Sequence, residues 1–186
     1  MPGRKRHLTA LAIFLAGAAS GPAFAVDGVS ITGGVGAGNG EGSDRRIARV
    51  AMQWDWEQRW FQDKGWHIGG FWNVDAGYVW QSDVLPGQNK DLFEIGFTPV
   101  FRLQPNGLKG PYVEGSIGIH FLSRTSIGDD GLGTSFQFGS AIGFGYRFGA
   151  KESFDLSYRY QHLSNAGIKD PNGGLDFHLI RLQYHF

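Results

Sequence analysis

The 186-residue chain predicts an all-β fold, an eight-stranded antiparallel transmembrane β-barrel of the bacterial outer membrane, and three observations carry that prediction. Apolar and polar residues alternate with a period of two over segment after segment, as in strands whose two faces meet different surroundings. Thirty glycines, six tryptophans, six tyrosines and fifteen phenylalanines accompany the alternation, which suits barrel strands banded by aromatic girdles at both interfaces. The chain closes on Ile180, Leu182, Tyr184 and Phe186, all of one parity, and a last strand ending in phenylalanine resembles the C-terminal signature of outer-membrane proteins. A soluble β-sandwich or lipocalin-like barrel is the competing architecture. The aromatic load on the apolar face and the terminal phenylalanine argue against it.

The ends and the composition narrow the setting. Residues 1–25 read as a cleavable secretory signal: Arg4, Lys5 and Arg6 form a basic start, residues 8–18 an apolar run, and Ala23-Phe24-Ala25 a small-x-small cleavage site before Val26. The apolar run is too short to span a bilayer as a helix. One domain of 161 residues, 26–186, is expected to remain. Without Arg4, Lys5 and Arg6, 14 basic residues face 17 acidic ones, a formal charge of −3 that gives no basic footprint for a nucleic acid. There is no cysteine, so neither a disulfide framework nor a thiolate metal site is available.

The strands follow in order. A glycine-rich first strand covers roughly residues 29–38. Its Gly33-Gly34-Val35-Gly36-Ala37-Gly38 run resembles a phosphate loop only superficially, because no Lys-Ser/Thr and no helix follow. In the second strand Ala48, Val50, Met52, Trp54 and Trp56 oppose Arg49, Gln53, Asp55 and Glu57. In the third, Trp66, Ile68, Trp72, Val74, Ala76, Tyr78 and Trp80 oppose His67, Asn73 and Asp75. The fourth sets Phe93, Ile95, Phe97, Phe101 and Leu103 against Glu94, Thr98 and Arg102. The fifth sets Val113, Ile117, Ile119 and Phe121 against Glu114, Ser116 and His120. The sixth sets Phe136, Phe138, Ile142, Phe144, Tyr146 and Phe148 against Gln137 and Arg147. The seventh sets Phe154, Leu156, Tyr158 and Tyr160 against Asp155, Ser157, Arg159 and Gln161, and the eighth is residues 175–186. Turn signals at Leu85-Pro86-Gly87, Pro105-Asn106-Gly107, Gly128-Asp129-Asp130-Gly131 and Asp170-Pro171-Asn172-Gly173-Gly174 punctuate them.

A barrel of eight strands is filled by side chains and is not a pore. Glu57, Asp75, Glu94, Arg102, Glu114, Arg147 and Arg159 are therefore expected to pair inside it, since buried charges need partners. His67 and His120 face inward and read as hydrogen-bonded core histidines. His178 and His185 lack a partner at a zinc-site spacing, and Asp129-Asp130 reads as a solvated turn, so no metal and no cofactor are expected.

One stretch stands out chemically. On the seventh strand His162 and Ser164 continue the apolar parity, where two polar groups two residues apart resemble the start of a nucleophile–base pair. With an even strand number both termini lie on the periplasmic side, so this pair sits at the outward end of its strand, facing the lipopolysaccharide leaflet at about the depth of its acyl esters. Asp176, on the outward parity of the eighth strand, comes within reach of His162 across the hairpin and would accept its second N–H. Ser164 would then attack an ester, and Asn165 and Asn172, or loop backbone N–H groups, would hold the oxyanion.

Tyr160-Gln161-His162-Leu163-Ser164-Asn165-Ala166-Gly167, followed by Pro171-Asn172 and a carboxylate 14 residues after the histidine, resembles the lipid A 3-O-deacylase (PagL) family. The match covers the last quarter of the chain, and the barrel length and leader agree with it. The resemblance implies an outer-membrane serine esterase of a Gram-negative bacterium that removes the 3-hydroxyacyl chain from position 3 of lipid A. It makes Ser164 the nucleophile, His162 the base and residue 176 the acid, where that family generally has glutamate and this chain has Asp176. The implied partners are lipopolysaccharide and outer-membrane lipids, and the sequence is compatible with a homodimer. Two other readings compete: a non-enzymatic barrel with a structural or adhesive role, and an acyl-transferring barrel that holds a chain inside. The charged inward faces disfavour the last.

Overall fold

The computed structural model describes residues 25–37 and 44–186, so the expected leader lies outside the described residues except for Ala25. Eight long strands run in chain order: β1 Gly28–Gly36, β2 Arg46–Asp55, β3 Trp66–Trp80, β4 Asp91–Pro105, β5 Gly110–Leu122, β6 Phe136–Phe148, β7 Phe154–Ser164 and β8 Leu175–His185. Each pairs antiparallel with its neighbour in sequence, and β8 returns to β1 with Gly28 opposite His185, which closes the sheet. Closure leaves no strand edge, the condition for carrying backbone polar groups through hydrocarbon. A short strand, Trp60–Asp63, folds onto β3, and a two-rung hairpin, Ser126–Ile127 with Asp130–Gly131, rises between β5 and β6.

The expected alternation points side chains as read. Phe93, Ile95, Phe97, Phe101 and Leu103 of β4 are exposed on the outer wall, while Glu94, Thr98 and Arg102 are buried. Trp56 packs edge-on against Trp60, Trp72 and Phe101, an aromatic band near the rim where β1 starts and β8 ends, the terminal rim. At that rim the Phe186 N–H donates to the Asp27 carbonyl. Residues 81–90, 123–135 and 165–174 form connections at the opposite rim.

The interior is layered. Toward the terminal rim, Arg102 donates to Glu114 at 2.8 Å and to Asp155 at 3.0 Å, and its guanidinium stacks 4.0 Å over the Tyr112 ring. Arg159 and Arg181 converge on the same Glu114. Asp155 also accepts from the Tyr112 hydroxyl at 2.9 Å and pairs with His185 Nε2 at 2.9 Å. Such a network stabilises only while complete, because deleting one member strands the others in low dielectric. Asp155→Ala is accordingly expected to lower barrel stability by about 3–5 kcal/mol, read as a fall in the denaturant midpoint of the folded form. Glu57 is a correction: it lies beyond the end of β2 and is exposed, because the strand stops at Asp55 before the alternation can carry it inward.

At mid-height Arg49 pairs with Glu94 and stands 3.8 Å from Asp75. His67 is hydrogen-bonded as expected, to Asn106 Oδ1 at 3.1 Å and to Gln104 at 3.2 Å. His120 is not: both ring nitrogens lack a hydrogen-bond partner, and its nearest ionic neighbour is Glu94 at 3.7 Å. Its ring lies between Gly96 and Gly139, either of which would meet it through an added Cβ, so packing fixes the ring rather than hydrogen bonding. Asp75, Glu94 and His120 place ligand-type atoms within 4.8 Å of one another, but the Arg49 guanidinium already supplies the cation there.

Toward the opposite rim the lumen is apolar, unlike the charge-rich interior expected from the sequence. Ile47, Val79, Leu92, Leu122, Leu163 and Phe177 pack inward, and Ile127 and Leu132 descend from the 123–135 connection to close the end. The Gly128–Gly131 turn is anchored rather than merely solvated, because Asp130 pairs with the buried Arg45 at 2.7 Å.

Candidate active site

The β7–β8 hairpin sets His162 directly opposite Asp176 and Tyr160 opposite His178, all on the outer wall. Opposed residues in an antiparallel pair have Cβ atoms about 4.5–5.5 Å apart, within reach of an imidazole and a short carboxylate. His162 Nδ1 and Asp176 Oδ1 are 2.9 Å apart. Their side chains are 42% and 33% exposed, so the pair is open to the surroundings of the barrel rather than to its lumen. With Nδ1 occupied, Nε2 is the nitrogen left to exchange a proton.

Ser164 follows two residues on, on the same face and half-buried, at the end of β7 opposite Phe138 of β6. The structure brings Ser164 to the same face as the His–Asp pair but not into hydrogen bonding with His162. Resting enzymes often show such loose catalytic contacts, which tighten when substrate binds.

Gly174 abuts the imidazole. Its φ is +71°, and a Cβ there would stand 2.9 Å from His162 Cε1 and 3.1 Å from the Leu163 carbonyl oxygen. Only glycine meets both the left-handed backbone and the close approach.

The two asparagines take different places from those expected. The Asn165 side chain is fully buried, because the inward parity of Leu163 continues past the strand end. Its amide donates to the carbonyls of Leu132 at 2.9 Å and Lys169 at 2.7 Å. It braces the 165–174 connection, and its side-chain amide points inward, away from the His162 face. Asn172 Oδ1 accepts the Asn165 backbone N–H at 2.9 Å, which fixes that side chain at the mouth of the hairpin with its amide nitrogen still able to donate.

Sequence reasoning missed Tyr160. Its hydroxyl donates to Asp176 Oδ1 at 2.9 Å, the same oxygen that faces His162. The Tyr158 hydroxyl similarly meets His178 Nδ1 at 2.6 Å, and the Tyr160 and His178 rings lie 5.5 Å apart. The available signal was a pair of tyrosines on the outward parity just below a histidine.

Comparison with known proteins identifies the family of the chain. The family model described as lipid A 3-O-deacylase (PagL) matches residues 46–185. The chain is similar to the lipid A deacylase PagL of Pseudomonas aeruginosa, 36% identical over 130 residues that span 69% of this chain and 71% of that protein. It is also similar to the lipid A deacylase PagL of Bordetella bronchiseptica, 31% identical over 152 residues, or 74% and 76% of the two chains. Among solved structures, that of the outer membrane enzyme PagL superposes with a TM-score of 0.70 at 29% identity, covering 86% of this chain and 99% of that one. Neisserial surface protein A, at 15% identity and a TM-score of 0.54 over 86% and 96% of the two chains, shares the fold alone.

Proposed function

The chain belongs to the lipid A 3-O-deacylase (PagL) family, and from that premise we propose that Ser164, His162 and Asp176 are the triad of a serine esterase. The enzyme is an outer-membrane barrel that hydrolyses the ester-linked acyl chain at position 3 of lipid A. The observation that carries the triad is the 2.9 Å His162–Asp176 contact on the outer wall, with Ser164 on the same face.

The chemistry follows from the roles. Ser164 Oγ attacks the ester carbonyl while His162 Nε2 takes its proton, and Asp176 stabilises the resulting imidazolium. Collapse of the tetrahedral intermediate breaks the bond to the sugar 3-oxygen, which receives the proton from His162 and leaves as a hydroxyl. Water then attacks the acyl-serine, His162 again acting as base, and the free hydroxy fatty acid departs as Ser164 recovers its proton. The Asn172 amide nitrogen and the backbone N–H groups of the connection are the candidate oxyanion donors.

The outward direction of the wall fits a membrane-bound substrate. Beside the site Ile117 and Ile142 are 68% and 70% exposed, an apolar surface on which a fatty chain can lie. A chain held inside the barrel has no such room at this end, where Leu92, Leu122, Leu163 and Phe177 fill the lumen. The leader, residues 1–25, is proposed to be removed on export.

Mass spectrometry of lipid A incubated with the refolded mature protein tests the reading. The expected result is loss of one hydroxyacyl mass from lipid A and appearance of the free hydroxy fatty acid. Unchanged lipid A in the presence of a folded barrel would refute the assignment.

A further inference from the structure

Three hydroxyl- or nitrogen-bearing residues on the outer wall lie next to the triad without belonging to it: Tyr158, Tyr160 and His178. Tyr160 is the one that reaches the machinery. It sits one rung below the His162–Asp176 pair, opposite His178, and its ring spans the diagonal so that its hydroxyl donates to Asp176 Oδ1 at 2.9 Å. Diagonal neighbours about 7–8 Å apart are within range of an aromatic side chain. We infer that Tyr160 is a positioning residue that holds the short Asp176 carboxylate against His162.

The argument is one of reach and support, and it rests on the triad reading above. An aspartate carboxylate is closer to its own backbone than a glutamate by one methylene, roughly 1.5 Å. With His162 directly opposite, it meets the imidazole through a single oxygen, Oδ1. The described hydrogen bonds to the Asp176 carboxylate come from His162 and Tyr160 alone, and both fall on Oδ1. The tyrosine therefore fixes the oxygen that orients the imidazole. Its own ring is fixed in turn, 5.5 Å from the His178 ring, which Tyr158 holds through its hydroxyl. A tyrosine at the membrane interface keeps its apolar body in lipid and its hydroxyl on a polar partner, so this support needs no loop and no water.

A double-mutant cycle tests it, with kcat and KM measured on purified lipid A in micelles for the refolded wild type, Tyr160→Phe, Asp176→Glu and the double variant. Heat-modifiable gel migration shows that each barrel is folded. Tyr160→Phe is expected to lower kcat about tenfold and to leave KM within about twofold. In the Asp176→Glu background, where the longer side chain reaches His162 unaided, the same change is expected to lower kcat by less than about twofold. An unchanged kcat in Tyr160→Phe, an equal loss in both backgrounds, a change confined to KM, or an inactive Asp176→Glu each overturns the inference. Failure of the triad itself shows separately, as activity surviving in Ser164→Ala.

Discussion

Ser164→Ala is expected to leave a barrel that folds and inserts as the wild type does, while deacylation falls by about four to six orders of magnitude. The two halves of that expectation have different origins. Folding depends on the closed eight-strand ring and the interior layers, and Ser164 contributes to neither, being half-buried on the outer wall at the last position of β7. In the proposed mechanism chemistry depends on Ser164 as the nucleophile that forms the acyl intermediate, and alanine removes it outright. Residual catalysis would come from substrate placement and oxyanion donors alone, which is why a finite rate is expected to persist above the uncatalysed one. The check is release of hydroxy fatty acid by mass spectrometry, normalised to the heat-modifiable folded fraction. Activity close to wild type would move the nucleophile elsewhere.

His162→Asn carries the second large effect, a loss of about three to six orders of magnitude in kcat with insertion preserved. Asparagine keeps a polar group in the same place and can still donate to Asp176, so the hairpin retains its cross-strand contact. It cannot take a proton from Ser164 or return one to the leaving oxygen. Members of a triad act as a unit, and so the Ser164→Ala/His162→Asn double variant is expected to be no slower than the worse single variant. Multiplicative losses would show that the two residues act independently, which a nucleophile–base pair forbids.

The outer wall was legible in the sequence because lipid imposes a strict rule on one face only. Phe93, Ile95 and Phe97 had to be apolar, and the intervening Glu94 and Thr98 made the period visible. The apolar end of the lumen hid from the same test. Val79, Leu163 and Phe177 point inward, and where both faces of a strand are apolar the alternation that marks orientation is lost. Glu57 was misplaced for a related reason, since parity says which way a residue would point but not where the strand stops.

The site divides in the same way. His162 and Asp176 meet because a hairpin register puts them opposite, and register follows from spacing. Asn165 turned inward because parity continued one residue past the strand, into a connection where backbone carbonyls awaited its amide. Tyr160 was counted with the apolar face, correctly for its ring, while its hydroxyl does the polar work one rung away. Which rung a tyrosine reaches depends on its side-chain torsions, and those are settled by neighbours rather than by sequence position.

The filled interior has a consequence for the cell that carries the protein. Arginine–carboxylate layers occupy one half of the bore and packed leucine, isoleucine and phenylalanine the other. A bore filled by side chains in this way offers ions and nutrients no open channel, so the barrel adds no porin-like leak to the envelope.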